Sequence, residues 1–266
     1  RGLESVYLGG ATKADIETLQ KTFPSKAILE LGAAATAEAT ETRPLERPDE
    51  RTVQFPADAL GRLLVRDWDS DDPDAWKELG AARGAVKVPA GKVLALEIDV
   101  ESPDSLAALK KLKPDDLYRV ASWRQEMTND ALDYLAGLTG LRSLDLSAPK
   151  VTDSGIAHIQ SLVNLESLRL YDVNMTDDGM HYLDQMRQLR SLVLYNLKIT
   201  DQGLKVLEHL SKLDTLKVIK LGITNESLAV FKRLPSLKKL HVEDTRIGRP
   251  GLIVLRYDLP GCEITF

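Results

Sequence analysis

The chain has 266 residues, of which 43% are apolar, and a formal net charge of −5 at pH 7. This length can bury one large core or two modest ones, and the negative charge argues against general nucleic-acid binding. No stretch is apolar for long enough to cross a membrane, so we expect neither a nucleic acid nor a membrane as partner. The single cysteine, Cys262, excludes an internal disulfide framework and leaves the compartment open.

The beginning of the chain shares its apolar skeleton with the end of the chain. The aligned pairs are Ile16 with Leu252, Leu19 with Leu255, Pro24 with Pro260 and Ile28 with Ile264. We therefore interpret residues 1–31 as the closing unit of an upstream repeat array, and we expect the parent protein to carry further repeats before Arg1. A single unit cannot bury its apolar residues alone, so self-association through residues 1–31 stays open.

The next two segments differ in composition. Residues 32–51 are small, charged and punctuated by prolines without an apolar period, which predicts a linker. Between residues 52 and 99, short stretches alternate as strands do: TVQF, GRLLVRDW, GAVKV and VLALEID. We expect this β-rich segment to cover the N-terminal edge of the following repeats, because an open sheet edge invites association.

An acidic stretch, DWDSDDPDAWKE, lies between two of these predicted strands. Asp67, Asp69, Asp71 and Glu78 occupy positions 1, 3, 5 and 12 of a calcium-loop pattern. Position 6, where such loops carry a glycine for the sharp turn, is Asp72, and the flanks are strand-like rather than helical. We therefore predict an acidic, solvated loop, with calcium binding as the alternative.

From Met127 the sequence falls into five lines of 24 residues and a shortened sixth line, aligned without gaps. The first half of each line places apolar residues three apart, as one face of a short helix does, and the second half alternates as a half-buried strand does. One strand and one helix cannot bury their leucines alone, so the repeats must stack into a curved solenoid. Residues 100–126 are predicted to be a degenerate first repeat, which makes 100–266 the array with its C-terminal cap.

Two conserved-looking columns within the lines predict how each helix begins. A threonine precedes each helical half and suits an N-cap, and an aspartate just after it favours the positive end of the helix. The threonines are Thr128, Thr152, Thr176, Thr200 and Thr224, and the aspartates are Asp153, Asp177 and Asp201.

These lines resemble the leucine-rich repeat family, in particular bacterial arrays with the pattern (I/V)TDxGLxxLxxLxxLxxLxL. The resemblance implies an α/β fold: a right-handed leucine-rich repeat solenoid with a parallel concave sheet and convex helices, preceded here by the small β segment. Family members mostly bind other proteins, so the resemblance implies a protein partner. In one column the family usually has Thr, Asn or Cys, and apolar packing is predicted here from Pro149, Val173, Leu197 and Leu221.

The residues between the strand leucines are predicted to face the concave side. In the middle repeats they include aromatic, aliphatic and cationic residues, which are usual anchors of protein interfaces. The predicted partner-binding residues are Arg169, Tyr171, Val193, Tyr195, Lys217, Ile219, His241 and Glu243. We predict a protein-binding module, with an architectural or assembly scaffold that has no concave-face ligand as the alternative.

The sequence contains no pattern typical of catalysis, such as a Gly-rich phosphate loop, a nucleophile elbow or a Cys–His pairing. His158, His181 and His209 fall at unmatched columns of different repeats, which predicts no metal site. We therefore expect no enzyme activity, no catalytic residue and no cofactor. The tryptophans are predicted to pack inside the β segment and first repeat: Trp68, Trp76 and Trp123.

Overall fold

The computed structural model describes residues 48–70, 72, 75–123 and 127–266. All of them lie within one compact unit, Thr42–Phe266. The predicted closing unit of residues 1–31 and nearly all of the predicted linker lie outside the described residues. The division of the chain into four segments therefore stays a prediction.

The described residues contain a large sheet of ten strands and a small sheet of two strands. The strands are β1 Arg51–Gln54, β2 Gly61–Asp67, β3 Lys77–Ala81, β4 Ala85–Val88, β5 Lys92–Ile98, β6 Arg119–Ser122, β7 Ser143–Ser147, β8 Ser167–Tyr171, β9 Ser191–Tyr195, β10 Thr215–Ile219, β11 Lys239–Glu243 and β12 Glu263–Thr265. The large sheet has the order β12-β11-β10-β9-β8-β7-β6-β5-β2-β3, and β1 pairs antiparallel with β4.

Short helical turns, rather than long helices, connect the repeat strands. The α-helices are α1 Asn129–Asp133, α2 Asp153–His158, α3 Asp177–Met180, α4 Asp201–Leu204, α5 Leu228–Lys232 and α6 Arg249–Asp258, and the 3-10 helices are Pro103–Lys111, His181–Leu183, Lys205–His209 and Asn225–Ser227. Among these described helices, none is long and apolar enough to cross a membrane. The alternation of parallel strands and short helices confirms the predicted α/β leucine-rich repeat solenoid.

The sheet keeps one register from repeat to repeat, because paired residues are 24 positions apart in the sequence. Leu168 pairs with Leu192, and Leu192 pairs with Leu216. The same spacing holds at the start of the array, where Leu96 of β5 pairs in parallel with Val120 of β6. Strand β5 thus continues the repeat sheet, and β2 and β3 add to it antiparallel at its outer side.

One continuous apolar core lies behind the large sheet and extends from β1 to β12. The second and fourth residues of each repeat strand are buried in it, as Leu192 and Leu194 are with 0% exposure. The predicted apolar column is confirmed for Val173, Leu197 and Leu221, which are buried. In the first full line the prediction is wrong, because Pro149 is exposed and Ala148 is buried instead.

A ladder of hydrogen bonds joins consecutive repeats where the helices begin. Oδ1 of Asp177 accepts the backbone N–H of Thr200 at 2.7 Å, and Oδ2 of Asp177 accepts the Thr200 hydroxyl. Asp153 and Asp201 make the same two bonds to the corresponding threonine of the following repeat. The aspartates lie in the first helical turn, as predicted, and they also bind each repeat to the next one.

The same threonines cap the helices, with one exception. The Thr176 hydroxyl accepts the backbone N–H of Asp178 at 3.3 Å, and Thr128, Thr200 and Thr224 accept equivalent bonds. The N-cap prediction is wrong for Thr152, whose hydroxyl pairs with other side chains. Four of the five predicted caps therefore hold in the structure.

The ladder also explains why a glycine follows in the TDxG pattern. A Cβ at Gly203 would lie 2.4 Å from Oδ1 of Asp177, closer than atoms approach without moving. In the fifth line Ser227 takes this position, and both its hydroxyl and its backbone N–H donate to Asp201. Although partial burial opposes ionisation, the hydrogen bonds from Ser227 and Thr224 hold the pKa of Asp201 below its ordinary value.

Candidate functional site

The face of the sheet opposite the core is formed by the first, third and fifth residues of strands β7–β11, and we call it the open sheet face. Its residues alternate with the buried leucines, as the partly exposed Ser167, Arg169 and Tyr171 of β8 show. Because the strands pair in one register, residues at the same strand position stand side by side, about 4.8 Å apart. The open sheet face therefore presents rows of side chains that run across the strands.

The fifth positions carry an aromatic row formed by Trp123, Tyr171 and Tyr195. The ring centroids of Tyr171 and Tyr195 are 5.9 Å apart with a tilt of 44°, and those of Trp123 and Tyr171 are 5.6 Å apart with a tilt of 54°. Tilted pairs at this distance attract each other beyond their area burial. Burial raises the pKa of the Tyr171 phenol, as expected for a ring held between two others.

Trp123 directly follows β6 and is in register with Ser147, the fifth residue of β7. The prediction that Trp123 is a packing residue is wrong, because 49% of it is exposed. The small Ser147 side chain stands between Trp123 and Tyr171 in the row, and the tryptophan ring reaches past it. The sequence signal for this contact was the position of Trp123 one repeat before Ser147, 24 residues earlier.

Lys220 extends the aromatic row at its other end. Its Nζ lies 5.0 Å from the centroid of the Tyr195 ring and donates to the phenol oxygen at 2.8 Å. This hydrogen bond raises the pKa of Lys220. The residue follows β10 with a φ of 55°, in the left-handed region where Asp172, Asn196 and Asp244 also lie. Sequence analysis missed Lys220 because only this backbone turn directs its side chain towards Tyr195.

A buried carboxylate underlies the N-terminal part of the open sheet face. Asp145, at the third position of β7, has a side chain with 0% exposure. Its Oδ2 accepts from Nε and Nη2 of Arg119 at 3.1 and 2.7 Å, and Arg169 Nη1 lies 3.8 Å from the same oxygen. The two arginines offset its charge, which would otherwise be costly to bury. The outer arginine, Arg169, keeps a side chain that is 40% exposed.

The eight predicted site residues share the open sheet face, but they are not equally accessible. Val193 is buried at 6% exposure, in register between Arg169 and Lys217. It therefore supports the face rather than offering contact area. The other seven predicted residues are partly or fully exposed: Arg169, Tyr171, Tyr195, Lys217, Ile219, His241 and Glu243.

A cleft of about 260 Å³ opens on the same face between β10 and β12. Its polar lining comes from Lys217, Lys239, His241, Glu263, Thr215 and Thr265. The His241 ring is held on both sides, with Nδ1 at 2.8 Å from the Thr265 hydroxyl and Nε2 at 3.1 Å from the Glu243 carboxylate. The imidazole is therefore fixed at one wall of the cleft.

The acidic stretch between β2 and β3 shows no cation site in the residues that the structure describes. Asp67 forms an ion pair with Lys92 at 2.8 Å, and Glu78 lies on the exposed strand β3. Asp71 lies outside the described residues, so the calcium alternative stays a prediction. Across the described part of the chain, no group of three or more His, Cys, Asp and Glu could hold a metal ion.

No protein-family model matches this sequence, and no curated relative matches it. Among solved structures, the chain is similar to internalin C2 of Listeria monocytogenes, with 24% identity and a TM-score of 0.48 over 60% of this chain and 65% of that chain. It is also similar to internalin F of the same organism, with 21% identity and a TM-score of 0.42 over 61% of this chain and 56% of that chain. The chain thus spans less than two thirds of either neighbour, and at this similarity neither tells what it binds.

Proposed function

We propose that this chain is a protein-interaction module whose partner binds on the concave face, across the open sheet face. The observation that carries the proposal is the aromatic row: three aromatic side chains and the aliphatic Ile219 lie side by side and remain partly exposed. A run of exposed apolar side chains costs solvation and is typical of an interaction surface. The arginine and lysine beside it, Arg169 and Lys217, give the apolar row a charged rim, as protein interfaces have.

The resemblance of the repeats to the leucine-rich repeat family supports the same function, since its members mostly bind proteins. The proposal includes a protein as the partner, and it includes no catalytic step and no cofactor. The absence of enzyme activity stays a prediction.

A second candidate is the scaffold function, and an exposed apolar patch on α6 favours it. Ile253, Val254 and Tyr257 are 46%, 54% and 81% exposed on this C-terminal helix. Such a patch could join copies of the chain or larger assemblies without any ligand on the open sheet face. The two candidates place the contact on different elements, so one set of variants separates them.

The test is affinity capture with the intact chain, followed by affinity measurements on the captured protein. We expect Tyr171→Ala with Tyr195→Ala to weaken binding by at least about 2 kcal/mol, or about thirtyfold, because aromatic anchors dominate interface energies. The matched control is Tyr257→Ala, which removes an equally large side chain from α6. Loss of binding with Tyr257→Ala, and full binding by the folded double variant, would favour the scaffold and contradict our proposal.

A further inference from the structure

The cleft between β10 and β12 contains two cationic groups that are not neutralised locally. Lys217 and Lys239 line it, and in the part of the chain that the structure describes neither ammonium group has a hydrogen-bond or ion-pair partner. The nearby carboxylate of Glu243 does not line the cleft and is bonded to the His241 ring. Unpaired cations beside hydroxyl groups favour an anionic ligand, since charge-assisted hydrogen bonds are stronger than neutral ones.

The charge of the lining selects among anions. Glu263 lines the same cleft as the two lysines, so the three side chains together carry one net positive charge. One carboxylate group would neutralise this charge, whereas a phosphate group with nearly two negative charges would also be repelled by Glu263. The charge balance therefore favours a carboxylate over a phosphate.

The size and position of the cleft indicate that the carboxylate belongs to a larger molecule. Sites for whole small molecules measure roughly 300–1,000 Å³ and enclose their ligand. This cleft has about 260 Å³ and is open, which suits a single side chain. Lys217 lies two residues before Ile219 on β10, and Ile219 pairs with Tyr195 of the aromatic row. The cleft is thus continuous with the surface of the proposed function.

We propose that this cleft is a subsite for the carboxylate of an acidic side chain of the protein partner. The inference rests on the proposed function, because it takes the partner to lie across the open sheet face. From β9, which carries Tyr195, to β11 at the centre of the cleft is two strand spacings, about 10 Å. An extended segment covers this distance in about three residues. The partner therefore presents an acidic residue about three positions away from an apolar residue.

The first test uses acetate as the probe and needs no protein partner. Acetate is titrated into the isotope-labelled intact chain, and NMR signals of Thr215, Lys217 and His241 are followed. We expect saturable shifts at these residues, and an affinity roughly tenfold lower in the Lys217→Gln, Lys239→Gln double variant, which corresponds to about 1.4 kcal/mol. The matched control is Lys198→Gln, which removes the charge of an exposed lysine outside the cleft.

A second probe, inorganic phosphate, tests the charge argument. In the unmodified chain we expect phosphate to bind more weakly than acetate, and Glu263→Gln should strengthen phosphate binding more than acetate binding. Acetate shifts that are spread over the whole surface, or that persist in the lysine double variant, would overturn the subsite. Stronger binding of phosphate than of acetate to the unmodified chain would overturn the choice of a carboxylate.

The second test uses the captured partner and separates the subsite from the proposed function. Neutralising the acidic residue of the partner should remove the effect of Lys217→Gln, because both changes delete the same contact. If the two effects simply add, the cleft is not the subsite, although the aromatic row can still be the interface. If the Tyr171 and Tyr195 variants keep full binding while acetate still binds in the cleft, the anion site stands and the proposed function fails.

Discussion

The hydrogen-bond ladder predicts that one aspartate of each repeat is far more important for stability than its neighbour. Asp177→Ala should cost about 1.5–3 kcal/mol, because it leaves the backbone N–H and the hydroxyl of Thr200 without their carboxylate partner. The matched control is Asp178→Ala, in the same helical turn. The Asp178 side chain is exposed and has no hydrogen bond among the described residues, so this change should stay within about 0.5 kcal/mol.

A double-mutant cycle with Gly203→Ala tests whether the ladder also explains the glycine. The new Cβ would lie 2.4 Å from Oδ1 and 3.0 Å from Cγ of Asp177, so Gly203→Ala should be clearly destabilising in the unmodified chain. In the Asp177→Ala background both clashing atoms are gone. The two changes together should therefore cost less than the sum of the single changes, by at least about 1 kcal/mol.

Urea unfolding of the four proteins of the cycle, followed by circular dichroism, gives these free energies. The reasoning would be refuted by additive effects within about 0.5 kcal/mol, since that outcome would mean that residues 177 and 203 do not interact. Equal losses for Asp177→Ala and Asp178→Ala would also contradict it, because they would reduce the role of the aspartate to its charge at the helix end.

Three further predictions concern the stability of the array, measured by urea unfolding. Leu192→Ala should cost about 2–5 kcal/mol, because Leu192 is fully buried, and Ser191→Ala should change little; equal losses would invert the assignment of the strand faces. Asn196→Val should cost about 1–2 kcal/mol, because the φ of 54° suits Asn but strains a β-branched residue, whereas Asn196→Gly should be tolerated. Because hydrogen bonds lower the pKa of Asp201, its contribution is present above the unfolded value of about 3.9 and is lost as the pH falls below it. Asp201→Asn should therefore lose less stability than the unmodified chain on acidification to below about pH 4, and parallel pH curves would contradict this.

The repeat fold was predictable because its determinants recur at a fixed spacing. The register of 24 residues, the buried leucines and most threonine caps follow from columns that are visible in the sequence. The contacts between repeats were not predictable in the same way. The aspartate that suits the start of its own helix also binds a threonine 23 residues later, and the spacing alone does not show which residues meet when repeats stack.

Strand β3 was missed for a different reason. Its five residues, KELGA, are mostly exposed and do not alternate, so the sequence carries no strand signal there. Its backbone pairs with β2, and that pairing depends on the strand already being present. An exposed edge strand of this kind is fixed by its neighbour rather than by its own side chains.

The site was predicted in outline, but its most informative members were not. Tyr171 and Tyr195 were expected to be neighbours, and they are. Trp123 was assigned to packing because a tryptophan in a degenerate repeat usually fills a core, yet the small Ser147 leaves its ring exposed on the sheet. Asp145 was expected on the surface, and it is buried because Arg119 covers and neutralises it. Both errors concern contacts between strands, which no single repeat encodes.

The central claim, that a protein partner lies on the open sheet face, is tested most directly by site-specific photo-crosslinking. Hydrogen exchange would be less informative there, because the strand amides are already protected by the sheet. A photo-crosslinking amino acid is placed at position 219, beside the aromatic row, or at position 257 on α6, and the intact chain is irradiated with the captured partner. Our account predicts a crosslink from position 219 and none from position 257. A crosslink from position 257 alone, with a folded and silent position 219 variant, would contradict it.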